Sequence, residues 1–128
     1  MLHYAKPTPS QEFLQETYEY DITDKTFPLK RRFDAPRGST KAGDRPGDWK
    51  KNYNYTYITL RVRNKKYFGD NSQHQFIMSR IVWKYHKGVE PKGVIDHING
   101  DSTDNRIENL QDITQKQNVN KQAGEIIK

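Results

Sequence analysis

The sequence predicts an α+β fold, a small antiparallel sheet with helices, and three patterns carry that prediction. Residues 53–63 alternate between polar and apolar side chains. Residues 73–88 show helical spacing between end signals. Residues 94–118 read as strand, loop, strand and helix in quick succession. Period two with β-branched and aromatic residues marks a half-buried strand, and apolar residues three and four apart mark a helix.

From the N-terminus, Thr8-Pro9-Ser10-Gln11 looks like a helix start. Thr8 can cap, Pro9 suits the first helical position and Gln11 completes a capping box. Phe13, Leu14 and Tyr18 then fall roughly on one face, which predicts a short helix near 9–19. Residues 20–33 hold two short strand-like runs around Asp24-Lys25, a candidate hairpin. Residues 34–52 are rich in Gly, Pro, Asp, Lys and Arg without periodicity, and read as a mobile loop. A loop of that length in a small protein is either disordered or functional.

In the alternating run, Ile58, Leu60 and Val62 form one face and Tyr57, Thr59, Arg61 and Arg63 the other. The second face could lie on a phosphate backbone or be ordinary solvated sheet. Asn64-Lys65-Lys66 would turn the strand into a partner around Tyr67-Phe68. Ser72-Gln73-His74-Gln75 resembles a second capping box. Ile77, Ile81, Val82 and Tyr85 follow at helical spacing, and Gly88 sits where a terminating glycine belongs, so a helix is expected at about 73–87. His74, near its start, reads as a surface or capping residue.

Composition bounds the function. The chain has 128 residues, a formal net charge of +6, 32% apolar residues and no cysteine. Its core must be small. Disulfides, Cys-ligated zinc and thiol catalysis are excluded. No run of about 18 apolar residues exists to span a membrane, and the N-terminus lacks an apolar signal core, so an intracellular, cytoplasmic protein is expected. The charge is uneven. Residues 1–24 are net −4, residues 25–92 net +12 and residues 93–128 net −2. A basic middle with six Tyr or Trp residues between Trp49 and Trp83 favours a polyanion partner, because Lys and Arg neutralise phosphates and release counterions. The candidate contacts are Arg61, Arg63, Lys65, Lys66, Arg80, Lys84 and, near the C-terminus, Lys121.

The most informative run is 94–120. Val94–Ile98 reads as a short strand with His97 near its end. Asn99-Gly100 and Asp101–Asp104 form a compact loop, Ile107, Leu110 and Ile113 are the apolar residues of a second strand, and Thr114-Gln115-Lys116-Gln117 is a third capping box. Asn118 falls in the first turn of the helix that box starts. So small a unit cannot bury a core alone, and a metal or a larger body commonly holds such units. Asp96 and Asn118 offer hard oxygen ligands, which suit Mg²⁺ or Mn²⁺ rather than zinc. Asp96 and His97 are adjacent, so on a strand they point to opposite faces and can reach one site only near its twisted end.

These residues resemble the HNH nuclease family, and within it the His-Asn-Asn subset of phage-borne homing endonucleases. The matching runs are Asp96-His97-Ile98-Asn99-Gly100-Asp101, Asp104-Asn105-Arg106-Ile107-Glu108-Asn109-Leu110 and Thr114-x-x-Gln117-Asn118-x-x-Lys121. Arg80–Gly88 and Pro91-x-Gly93 resemble the helix and linker before the motif, with Ser79 standing where many relatives have a His. The resemblance implies a C-terminal ββα-metal (His-Me finger) unit that hydrolyses DNA phosphodiesters. It implies Asp96 and Asn118 as metal ligands and His97 as the general base. Asn109 becomes the central Asn that braces the loop and orients His97, with Asn105, Asp104 and Thr114 as structural positions. The organisation expected is a DNA-binding region over 1–92 and the nuclease motif over 93–128. The partner is double-stranded DNA, the protein a monomer or homodimer, and the setting a phage-infected bacterial host. Two alternatives stay open: a nucleic-acid-binding module with a vestigial site, and a low-specificity nuclease for DNA packaging or repair.

Overall fold

A computed structural model describes residues 7–33, 47–52, 55–70, 72–114 and 116–117. The architecture is α+β, as expected: among the described residues, three short α-helices, one 3-10 turn and three small antiparallel sheets around one core. Helix α1 spans Gln11–Thr17 and runs directly into β1, Tyr18–Tyr20, which pairs with β2, Leu29–Arg31. The cap of α1 is Ser10, whose Oγ accepts the Phe13 amide at 3.1 Å. Thr8 was the expected cap. Its backbone amide and hydroxyl instead both donate to Glu90 Oε1, so a long-range carboxylate takes Thr8 and the helix starts two residues later.

The central sheet corrects three expectations. Residues 47–52 are not loop but strand β3, Gly47–Asn52, an edge paired along its whole length with β4, Tyr55–Val62. The rest of the expected loop, 34–46, lies outside the described residues. On its other edge β4 pairs not with Tyr67-Phe68 but with β5, His74–Ile77, with Leu60 opposite Phe76. Tyr67 and Phe68 belong instead to a single helical turn, α2, Lys65–Phe68, capped by Asn64 Oδ1 and closed by Gly69 at φ 84°. The expected helix over 73–87 is shorter for the same reason. Residues 74–77 are spent on β5, and α3 covers Met78–Lys87, ending at Gly88 in the left-handed region as predicted. Ser72 caps no helix; its amide and hydroxyl both donate to Asp70 Oδ1.

Leu14, Tyr18, Phe27, Leu29, Ile58, Leu60, Val62, Phe76, Met78, Ile81, Val82, Tyr85 and Leu110 form one buried cluster. Burial of such side chains contributes roughly 1.5–3 kcal/mol each before chain entropy is charged against it. Thr59 was expected on an exposed face, but it is 1% exposed, enclosed between its neighbours on the middle strand of the sheet. The core joins the N-terminal elements to the last hairpin. That hairpin is β6, Val94–His97, against β7, Leu110–Ile113. It starts at Gly93, where a Cβ would sit 2.1 Å from the Ile113 carbonyl oxygen, so only glycine allows this approach. Asp112 fixes the same corner by accepting the Lys92 and Gly93 amides at 2.7 and 2.8 Å.

Candidate active site

His97 is the last residue of β6, opposite Leu110, and Asp96 stands opposite Gln111. Paired residues share a face, so Asp96 and His97 lie on opposite faces of the ribbon at its very end. Asp96 is 9% exposed, and Gln111 Nε2 donates to its Oδ2 at 2.7 Å. His97 is half-buried, with Nε2 at 3.0 Å from Asn105 Oδ1. The Asn105 amide is 1% exposed, and its Nδ2 donates to the Thr26 carbonyl at 3.2 Å. That bond turns Oδ1 toward the imidazole. An acceptor at that place matches a ring that carries a hydrogen on Nε2.

The loop between the two strands closes on itself. Gly100, at φ 79°, makes the turn, and its amide reaches the His97 carbonyl at 2.8 Å. Asn109 holds three groups at once. Its Oδ1 accepts the Asn99 amide at 3.0 Å, and its Nδ2 donates to Asn99 Oδ1 at 3.0 Å and to the Asp104 carbonyl at 2.9 Å. Its own carbonyl accepts the Ile98 amide at 2.8 Å, directly behind His97. The loop also docks outward: Ser102 donates to the Thr56 carbonyl on β4. Asn109 therefore braces the loop, and Asn105, expected only as a stabilising position, is the side chain bonded to the imidazole.

Asp104 is the electrostatic anchor. At 1% exposure its two oxygens take Arg106 Nε at 2.8 Å and Nη2 at 2.6 Å, with Asn99 Nδ2 at 2.9 Å. The Arg106 hydrogen bonds hold its carboxyl down at about 2, against burial, which acts in the other direction. A depressed pKa contributes stability that is complete above the unfolded value, near 4, and is lost as pH falls toward 2. We expect the wild-type melting temperature to fall over that window by more than that of Asp104→Asn, corresponding to about 1–2 kcal/mol. Thermal melts at pH 2 to 5 check this, and parallel curves for the two proteins would contradict it.

Thr114 and Gln117 form the expected capping box. Gln117's amide donates to Thr114 Oγ1 at 3.1 Å, and Thr114's amide to Gln117 Oε1 at 3.0 Å. Asn118 and Lys121 lie outside the described residues. Among the described residues no three His, Cys, Asp or Glu side chains converge. A ligand set here would join Asp96 to an amide such as that of Asn118. A buried carboxylate held in one orientation by Gln111 suits a hard divalent cation, so the donor chemistry fits.

The basic candidates divide. Arg63, Lys65 and Lys66 are exposed or nearly so along the exit of β4 and the turn after it, and Arg61 is 41% exposed with Asp48 Oδ2 at 3.3 Å. Arg80 and Lys84 face inward to Glu90, at 2.8 and 3.9 Å, with their side chains 14% and 16% exposed. They tie α3 to the linker that leads into β6. Sequence reasoning overlooked Gln111, and the strand register alone places it opposite Asp96.

Residues 77–120 match a family model described as HNH endonuclease. No curated protein and no solved structure matches the chain. The matched segment runs from the end of β5 through α3 and the whole of the β6–loop–β7 unit, and leaves out the N-terminal helix, the first hairpin and most of the central sheet.

Proposed function

We propose that the chain is a metal-dependent endonuclease of the HNH type that hydrolyses phosphodiester bonds of double-stranded DNA. The observation that carries this reading is the imidazole of His97, held by Asn105 at the end of a ribbon whose other face carries the buried Asp96 carboxylate. In this reading His97 accepts at Nδ1 the proton of the attacking water, a role suited to a group whose unperturbed pKa is about 6.5. Asp96, with Asn118, would hold Mg²⁺ or Mn²⁺, which when bound stabilises charge on the scissile phosphate and leaving oxygen. Asn109 keeps the loop behind His97 in one shape. Arg61, Arg63, Lys65 and Lys66 lie on exposed surface where they can take backbone phosphates, and the sequence adds Lys121 to these candidates. A phage homing role within an infected host fits this chemistry. One ββα unit makes one cut per visit, so cleavage of both strands calls for a homodimer or two events.

The test is direct. Supercoiled plasmid incubated with the protein is expected to be nicked or linearised in Mg²⁺ or Mn²⁺ and to stay intact in EDTA. Tight DNA binding without cutting in either metal would replace this reading with that of a binding module whose site is vestigial.

A further inference from the structure

We propose that the hairpin of residues 18–31, outside the segment that matches the nuclease family, is a working part of the active site: it fixes which ring nitrogen of His97 carries the hydrogen. This rests on the reading of His97 as the base, but the hydrogen's position can be measured whether or not the protein cuts.

The connection between β1 and β2 presents two consecutive carbonyls to one residue of the catalytic loop. Lys25's carbonyl accepts the Asn105 amide at 2.7 Å, and Thr26's accepts Asn105 Nδ2 at 3.2 Å. An Asn side chain has one donor end and one acceptor end. With its NH₂ held against the Thr26 carbonyl, the amide's other end, the oxygen, faces His97 Nε2. Were the amide free to flip, its NH₂ group would face the ring, and the preferred hydrogen would move to Nδ1, leaving no lone pair there.

The carbonyls are themselves aimed. Asp24 Oδ1 accepts the amides of Thr26 and Phe27 at 3.1 and 3.0 Å, while its Oδ2 takes Lys30 Nζ at 2.5 Å. Phe27, 2% exposed, anchors the turn in the core. Two more contacts join the hairpin to the loop. Tyr20's hydroxyl accepts the Ile107 amide at 3.1 Å, and Lys25 Nζ lies 3.9 Å from Asp101. The chain of positioning residues thus runs from Asp24 through the Lys25 and Thr26 carbonyls to Asn105 and then His97. Outer partners of this kind typically change activity by about 10–100-fold when removed.

The experiment is a long-range ¹⁵N–¹H spectrum of the histidine rings in the full chain, with the His97 signals assigned by their loss in His97→Gln. Wild type is expected to show a hydrogen on Nε2 and slow exchange of that hydrogen with water. In Asn105→Leu and in Asp24→Ala that exchange accelerates, and Asp24→Asn, which keeps an oxygen for the Thr26 and Phe27 amides, restores it. In the cutting assay Asp24→Ala lowers kcat about 10–100-fold at unchanged KM. A wild-type ring with its hydrogen on Nδ1, or Nε2 exchange unaltered in both Asp24→Ala and Asn105→Leu, would overturn the proposal. Asp24→Ala keeps it testable should Asn105→Leu fail to fold. A protein that shows the expected ring signals and cuts no DNA would defeat the nuclease reading alone.

Discussion

His97→Ala is expected to lower DNA cutting by at least about 10²–10⁴-fold, the usual contribution of a positioned base, while duplex binding is retained. Binding survives because the candidate phosphate contacts at Arg61, Arg63, Lys65 and Lys66 lie on other elements, the exit of β4 and the turn after it. The fold survives for an energetic reason. Removing the ring strips Asn105 Oδ1 of one partner, and an unsatisfied buried acceptor costs about 1–3 kcal/mol. A domain's total stability is about 5–15 kcal/mol. His97→Gln sharpens the test, because its amide can still donate toward Asn105 yet cannot serve as a base at neutral pH. Plasmid cutting and gel-shift titration of the three proteins decide the matter. If both variants cut like wild type, His97 is not the base.

How much of this was legible in the sequence depends on where each element's partners lie. Helix α3 ended at Gly88 as predicted because that signal is local: a left-handed residue whose amide returns to Lys84. The Thr114 box held for the same reason, since its two bonds span three residues. Ser72 failed because its apparent box competes with sheet pairing. Phe76 is worth more opposite Leu60, buried on both strands, than in a first helical turn. Strand β3 was unreadable because it is an edge. Its charged Lys50 and Lys51 and its single large apolar residue, Trp49, give no alternation, and such charges are how edges avoid further pairing.

The site shows the same division. Asp96, His97 and the bracing role of Asn109 follow from spacing and resemblance within one short segment. The bond from Asn105 to His97 does not, because the Asn105 amide is oriented by Thr26, 79 residues away. Similarly, Arg80 and Lys84 read as phosphate contacts when only charge is visible. Glu90, ten residues after Arg80, draws both inward in the folded chain. Charge composition gives the sign of a surface, while the pairing of each cation is a tertiary fact.

Asp96→Ala is expected to have the second large effect, on the metal requirement. Without the carboxylate, the described part of the site retains no ionised oxygen ligand beside His97. The midpoint of cutting against Mg²⁺ concentration should therefore rise beyond any attainable plateau, while Mn²⁺, which accepts nitrogen and oxygen donors more readily, restores part of the activity. Gln111→Leu supplies the graded case. It leaves Asp96 in place but removes the 2.7 Å donor that orients it, and loss of such a support typically weakens metal affinity about 10–100-fold. The expected order of midpoints is wild type, then Gln111→Leu, then Asp96→Ala. DNA affinity in EDTA should be no weaker in Asp96→Ala, because the carboxylate it removes repels phosphate when no cation lies between them. Identical Mg²⁺ midpoints for wild type and Asp96→Ala would remove Asp96 from the ligand set. A Gln111→Leu midpoint equal to wild type, with Asp96→Ala still impaired, would instead show that burial on the β6–β7 ribbon suffices to orient the carboxylate.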